Sequence, residues 1–452
     1  MAQDLTQGKI GKTLLVFAAP IVAGMLLQTA FNLVDTFFIG MLGPLELAAI
    51  SLTFPIFFVF IAISSGLGIG ANALISQAVG EKNLKAANNF AEHAIILAVI
   101  FGIATGALGI IFAPALFALM GADKQVLEYS MQYAVPIFAG VVFTFLWFVS
   151  DAILRAQGNS RTPMVNLAIA VALNAVLDPF FIFGIGPFPR WGLFGAAIVT
   201  VFADMLSALL NFRYIYSKNS KINLSLKAFK PNLACMKSMI SIGLPASISQ
   251  ALSAAGFTIL IGLVGTFGSY AIAAYGIGMR ITSVIILPIV GIESAVASFV
   301  GQNVGAKSFS RAKQVGWFAA KASLALSILL AAITILFPEQ IVRVFTKDAS
   351  VISMGKNYLS IVSFAYIFYG FYFPFSGAFQ GTGKTMLVLA TNIAYWAVAV
   401  GIAAMLSKTM GLQGIWIGIT AAAALELIAV TAIFKSGIWL KPGKKKQTAK
   451  CD

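Results

Sequence analysis

Gln28-Thr29-Ala30-Phe31-Asn32-Leu33-Val34-Asp35-Thr36-Phe37-Phe38-Ile39-Gly40 lies in the first long apolar run of the chain. On a helix, Gln28, Asn32 and Asp35 fall at i, i+4 and i+7 and share one face. The other positions are mostly Phe, Leu, Val and Ile, which suit lipid or packed helices. A carboxylate in the middle of an apolar span costs about 2.5–3.5 kcal/mol on insertion scales, and such groups usually face an internal cavity. Asp35 therefore needs partners from elsewhere in the chain. The plainer alternative is a satisfied polar group inside a helix bundle.

The surrounding composition is that of a membrane protein. Of 452 residues, 60% are hydrophobic and only 10% charged, with mean hydropathy +0.93; soluble domains carry about 25% charged residues. Twelve apolar stretches are long enough to span a bilayer, at about 14–40, 47–77, 90–117, 129–151, 163–187, 192–216, 239–266, 270–303, 314–337, 352–376, 385–407 and 411–434. The first follows Asp4 and leads into many more, so it reads as a span and not as a cleaved signal.

The net charge of +15 would point to nucleic acid in a soluble protein. Here the Lys and Arg residues sit in short loops, 22 on one side of the twelve-span layout and six on the other. That bias sets orientation: both termini in the cytoplasm of a multi-pass cell (plasma or inner) membrane protein, with no nucleic-acid partner. The Lys-rich tail at 435–452 reads as a lipid-surface anchor. Cys235 and Cys451 both fall on the cytoplasmic side, so no disulfide is expected. A single His93, read as interfacial, leaves no Cys/His metal cluster and no catalytic triad.

The chain repeats. Pro20 matches Pro245, and the same offset of 225 pairs Gly40 with Gly265, Gly66 with Gly291, Gln77 with Gln302, Lys82 with Lys307, Asp123 with Asp348 and Tyr133 with Tyr358. Further on, Gln157-Gly158 is paired with Gln380-Gly381, as though the offset slips to 223. The expected fold is an all-α polytopic membrane protein, with twelve transmembrane helices in two pseudo-symmetric six-helix bundles. Six spans per half make this a parallel repeat, with a transporter's central path between the halves. The expected divisions are a first bundle at 1–216 with the ion site, a basic linker at 217–238, a second bundle at 239–434 and the tail at 435–452. The polar groups do not repeat: Asp35 corresponds to Leu260, Asn32 to Phe257 and Asp178, at the slipped offset, to Gly401. A discrete ion site belongs to the first half.

Span five reads Asn174-Ala175-Val176-Leu177-Asp178-Pro179. Asn174 and Asp178 are one turn apart on the same face. Pro179 lacks an N–H and frees the carbonyl of Ala175. A loose carbonyl beside a carboxylate and an amide resembles the broken helices that bind Na⁺ or protons in transporters; a simple Pro kink is the alternative. In span six, Thr200 offers a hydroxyl, and Asp204 stands one turn beyond it with its side unassigned. Tyr133 is a cavity candidate, or, like Tyr358, a packing residue. Two carboxylates enclosed together do not both keep their charge unless a cation joins them. Ion occupancy and substrate can then bias the bundles in opposite directions.

At these residues the chain resembles the multidrug and toxic compound extrusion family. The matching pieces are Pro20, Asn32-Leu33-Val34-Asp35-Thr36 with Gly40, Leu154-Arg155-Ala156-Gln157-Gly158-Asn159-Ser160-Arg161-Thr162-Pro163-Met164, Asn174…Asp178-Pro179 and Gly195-Ala196-Ala197…Thr200. The resemblance implies a twelve-helix antiporter that exchanges H⁺ or Na⁺ for organic, often cationic, compounds. First-half acids resemble the DinF-like branch, whose ion pocket involves the residues matching Asp35, Asn174, Asp178 and Thr200, with Gln28 and Tyr133 nearby. Pro20 matches a proline associated with bending of the first helix. The branch with acids in spans seven and ten is not matched; Glu293 in span eight and Glu426 in span twelve are read as cavity or packing groups, and Arg280, too far from Glu293 for a same-helix pair, as meeting another helix.

The predicted function is secondary active export of amphipathic organic cations by alternating access, in a monomer that needs no cofactor beyond its coupling ion. Its partners are small organic substrates and membrane lipid. The alternative is a flippase for a lipid-linked intermediate, for which a basic cleft is expected. A membrane enzyme or channel is disfavoured by the missing catalytic clusters and the one-sided polar site. Gly377-Ala378-Phe379-Gln380-Gly381-Thr382-Gly383-Lys384-Thr385 looks like a phosphate loop, but Ala378 replaces the first required Gly and no strand precedes it.

Overall fold

The structure, a computed structural model, describes residues 3–224 and 230–441. Its long helices are α1 (Ile10–Gly40), α2 (Pro44–Gly80), α3 (Leu84–Leu119), α4 (Lys124–Ala156), α5 (Arg161–Phe183), α6 (Gly192–Ile215), α7 (Leu233–Gly265), α8 (Ser269–Gly305), α9 (Phe309–Leu336), α11 (Ala349–Gly381), α12 (Thr385–Met410) and α13 (Leu412–Ser436). A short α10 (Pro338–Arg343) follows α9, and no strand occurs among the described residues. Twelve helices are long and apolar enough to cross a membrane. They correspond one to one with the twelve stretches read from the sequence, so the chain is a multi-pass membrane protein. Only α5 stops clearly short of its expected end. Gly184 takes φ 74 and its N–H bonds the Phe180 carbonyl, which closes the helix at Phe183.

Several matched pairs are backbone devices. Asp123 and Asp348 are N-caps: Oδ1 of each accepts two N–H groups, from Gln125 and Val126 in α4 and from Ser350 and Val351 in α11. Lys82 and Lys307 both take positive φ, 59° and 58°, two residues past the ends of α2 and α8. The next residues then bond back over five positions, Asn83 N–H to the Ala78 carbonyl and Ser308 N–H to the Asn303 carbonyl. The same device corrects the register later in the chain. Gly158 (φ 92) and Gly383 (φ 73) close α4 and α11, followed by bonds from Asn159 to Leu154 and from Lys384 to Phe379. The offset therefore stays at 225 through this turn, and the Gln-Gly match that implied 223 was fortuitous. Carried forward, it sets Asp178 opposite Ala403 instead of Gly401, and still opposite no acid.

Two compact units form, and their boundaries differ from those expected. One comprises Ala19–Ser247 with residues 3 and 4; the other comprises Leu5–Ala18 and the chain from Ile248 onward. Thus α1 and α7 each start in one unit and finish in the other. The cause is packing at their first turns. Leu5 is fully buried against α8, its N–H bonding Gln302 Oε1 and its carbonyl accepting from Asn303 Nδ2. The first half of α7 crosses α2, where a Cβ on Gly66 would lie 2.6 Å from the Gly243 carbonyl oxygen.

In the first unit α4 packs against α2, α3 and α6, and in the second α11 packs against α8, α9 and α13. Phe90, Phe138 and Phe145 fill the first core; Tyr275, Tyr358, Tyr366 and Trp416 fill the second.

The linker at 217–238 is tied to the first unit, with 225–229 outside the described residues. Gln157 Oε1 accepts the Lys221 N–H at 2.8 Å, and Asn88 Oδ1 accepts the Asn223 N–H at 3.0 Å. His93 is buried: Nε2 accepts the Asn232 N–H and Nδ1 donates to the Asn89 carbonyl. Cys235 is buried, and the disulfide expectation involves Cys451, which lies outside the described residues. Most of the tail lies outside them too. The phosphate-loop look-alike is mainly helix: Gly377 and Gly381 let α11 approach the backbone of α8 at Glu293 and Ala297. Asp151 and Arg155 pair at the end of α4, as i, i+4 spacing predicts.

Candidate ion site in the first unit

Three helices bring polar groups into one layer. Asp35 projects from α1, Asn174 and Asp178 from α5, and Thr200 from α6. One turn to one side, Phe31, Ala170 and Ala203 of the same helices form an apolar cluster. To the other side, Ile39, Ile182 and Ala196 form another with Ala49 and Leu193. Four-residue spacing along each helix thus places the polar layer between two apolar ones. Small residues at Ala170, Ala196 and Ala203 let the helices close around it.

The layer is dry. Asp35 is 9% exposed, Asn174 1%, Asp178 0% and Thr200 8%. Asn174 Nδ2 donates to Asp178 Oδ1 at 3.3 Å, and the Tyr133 hydroxyl donates to Asp35 Oδ2 at a long 3.5 Å. Asp178 and Tyr133 both lie within electrostatic reach of Asp35. The remaining oxygens are unsatisfied: Asp35 Oδ1, Asn174 Oδ1, Asp178 Oδ2 and Thr200 Oγ1, with Gln28 Oε1, have no protein partner. Each such group costs about 1–3 kcal/mol when buried, and more for a charge. In the layer itself, Asp35, Asp178, Asn174 and Thr200 give two carboxylates, one amide and one hydroxyl, an all-oxygen donor set suited to a hard cation or to protons on the acids; Gln28, two turns from Asp35 and beyond Phe31, borders it. Among the described residues no three His, Cys, Asp or Glu side chains come together, so a transition-metal centre is not built here.

The other candidates sort by geometry. Asp204 lies one turn from Thr200 and turns toward α4, where the Thr144 hydroxyl donates to its Oδ2. Thr144 carried no sequence signal; only the packing of α4 on α6 reveals it. Tyr133 borders Asp35, whereas Tyr358 is a buried packing residue bonded to Thr282, so the repeat mates have diverged. Asn32, a candidate cavity residue, is exposed. Residues seven apart point within about 20° of one another, which keeps Gln28 with Asp35; Asn32 is rotated about 40–60° from both. Pro179 sits inside a continuous α5 beside Asp178, and Pro20 inside a continuous α1 two residues past the unit boundary. Glu293 accepts from Gln380 Nε2 at 2.9 Å and is a packing group; Arg280 is exposed.

The sequence model of the MatE family matches residues 20–180 and again 245–405, the same offset of 225 that the backbone turns follow. The chain belongs to the MatE family, the multidrug and toxic compound extrusion transporters. A family of transporters, not of enzymes, fits a site with oxygen donors and no nucleophile. The chain is similar to the probable multidrug resistance protein YoeA of Bacillus subtilis, at 28% identity over 99% of this chain and 97% of that one. It is 30% identical to the FAD transporter of Shewanella oneidensis over 86% of each. Among solved structures, an outward-facing MATE family multidrug resistance transporter of the MOP superfamily superposes with TM-score 0.90 at 28% identity, covering 96% of each chain.

Proposed function

We propose that this MatE protein is a secondary active antiporter that exports amphipathic organic cations in exchange for H⁺ or Na⁺. The observation that carries the reading is the group of four buried oxygens without partners on Asp35, Asn174, Asp178 and Thr200. A cation satisfies them at once; protons neutralise the carboxylates instead. Asp35 and Asp178 supply the negative charge, Asn174 and Thr200 neutral oxygens, and Gln28 and Tyr133 border the site. Asp204 supports it from α6, held by Thr144 of α4, and Pro20 and Pro179 give the helices that carry the acids a place to bend. Loading relieves the uncompensated charge and so favours a state that the empty site does not. If export favours the opposite state, ion and substrate move in exchange.

First-half acids support the DinF-like branch. The Lys and Arg bias supports cytoplasmic termini in the cell membrane. The working unit is a monomer in lipid with no cofactor beyond the coupling ion. The names of the relatives support multidrug export. One relative named for FAD favours testing that anion as a second substrate.

Purified protein in proteoliposomes, under imposed proton or sodium gradients, tests the reading. Ethidium flux driven by either gradient is expected. FAD flux in its place, or translocation of a lipid-linked precursor, redirects the substrate assignment; no gradient-driven flux of any of them overturns it.

A further inference from the structure

The second unit carries an acid that the ion site does not use. Glu426 stands near the middle of α13, at the depth of the bilayer centre and away from lipid headgroups. It is 6% exposed, and its Oε1 has no hydrogen-bond partner. The Tyr372 hydroxyl on α11 is within hydrogen-bonding reach of the carboxyl. Beside Glu426, α12 and α13 form a half-open cavity of about 330 Å³, with Thr391, Tyr395 and Val398 on one side, Ala422 on the other, and Ala394 and Leu425 at its exposed rim.

The hydroxyls of this lining are already engaged. Thr391 Oγ1 bonds the Val388 carbonyl, and the Tyr395 hydroxyl pairs with that of Tyr369 at 2.9 Å. Aliphatic surface, an aromatic ring and one unpaired carboxylate oxygen remain. Such a cavity suits a ligand with a single positive charge on an apolar body, and rejects anions and highly polar solutes. Neither repeat mate of the ion-site acids reaches it, since Leu260 and Ala403 replace them.

We infer that Glu426 and the cavity between α12 and α13 bind the charged group of an amphipathic organic cation, at a site built from other residues than the ion site. The inference rests on the exporter reading in taking that ligand to be transported. Substrate and coupling ion then occupy different carboxylates, one in each unit. Neither has to displace the other directly.

The test uses the full chain in phosphatidylcholine nanodiscs, with tetraphenylphosphonium as the probe and triphenylphosphine oxide as its neutral analogue. The parent is expected to bind the cation at least tenfold more tightly than the analogue. Glu426→Gln abolishes that preference, and Glu426→Asp keeps part of it. Ala394→Leu fills the cavity and weakens both ligands while leaving the carboxylate in place. Unfolding temperatures without ligand verify each fold, and Ala394→Leu carries the test if the Glu426 variants do not fold. A parent with no charge preference, or Glu426→Gln retaining it within twofold, overturns the site. Undiminished ethidium export by Glu426→Gln overturns this site alone, whereas a parent that exports no organic cation overturns the exporter reading.

Discussion

Asn174 donates its amide N–H to Asp178 one helical turn away, yet Oδ1 of the amide and Oδ2 of the carboxylate are both left without a partner. A pair that satisfied itself would be a structural tie. This one instead leaves two oxygens unpaired, in a layer closed above and below by apolar side chains. Burial without satisfaction separates a binding site from a packed polar core.

Asp178→Asn is expected to abolish ion-coupled efflux and to leave the fold as stable as the parent or more so, because a buried charge is replaced by a neutral amide. The decisive measurement is ion-dependent thermal stabilisation. At a hundredfold excess over its Kd, a bound ion adds about 2.7 kcal/mol to the parent. The variant should gain none, and an equal gain in the variant moves the ion elsewhere.

Thr200→Val keeps the shape of the side chain but removes its oxygen. The expected result is about tenfold weaker ion binding, equivalent to about 1.4 kcal/mol. Thr200→Ser should restore most of the loss. Titration of the ion against tryptophan fluorescence reads both variants, and a Val variant with parental affinity would exclude Thr200 as a ligand.

Gln28→Ala and Asn32→Ala distinguish two residues that sequence spacing placed together. Gln28 contributes an unpaired buried oxygen, and Asn32 is exposed. Ion affinity should fall several-fold in the first and stay within twofold in the second. The reverse order would place Asn32 in the site.

Gly377→Ala is expected to destabilise the second unit by about 1–3 kcal/mol through overpacking, because the new methyl would lie 2.3 Å from the Glu293 carbonyl oxygen. Gly401→Ala, with nothing within 4 Å, should cost little. Denaturation midpoints in detergent compare them. Equal midpoints would mean that α8 and α11 do not depend on the close approach at Gly377.

The sequence by itself determined the twelve spans and the internal repeat, and it singled out the polar residues proposed here for the ion site. Those features depend on local or periodic quantities: apolar run length, a register that persists across hundreds of residues, and i, i+4 neighbours on one helix. The family resemblance extended the same information, because its motifs lie on the helices that form the layer. Helical spacing places Asn32 on the same broad face as Asp35 but does not say how deeply it is buried; the structure has it exposed.

Only the tertiary structure decided the rest. It revealed that Thr144 holds Asp204, that α1 and α7 change unit along their length, and that Glu426 borders a cavity. Each is a relation between residues far apart in the chain or between a side chain and the space beside it. Local sequence fixes which face a residue occupies, whereas the packing of other helices decides whether that face is filled, paired or left open.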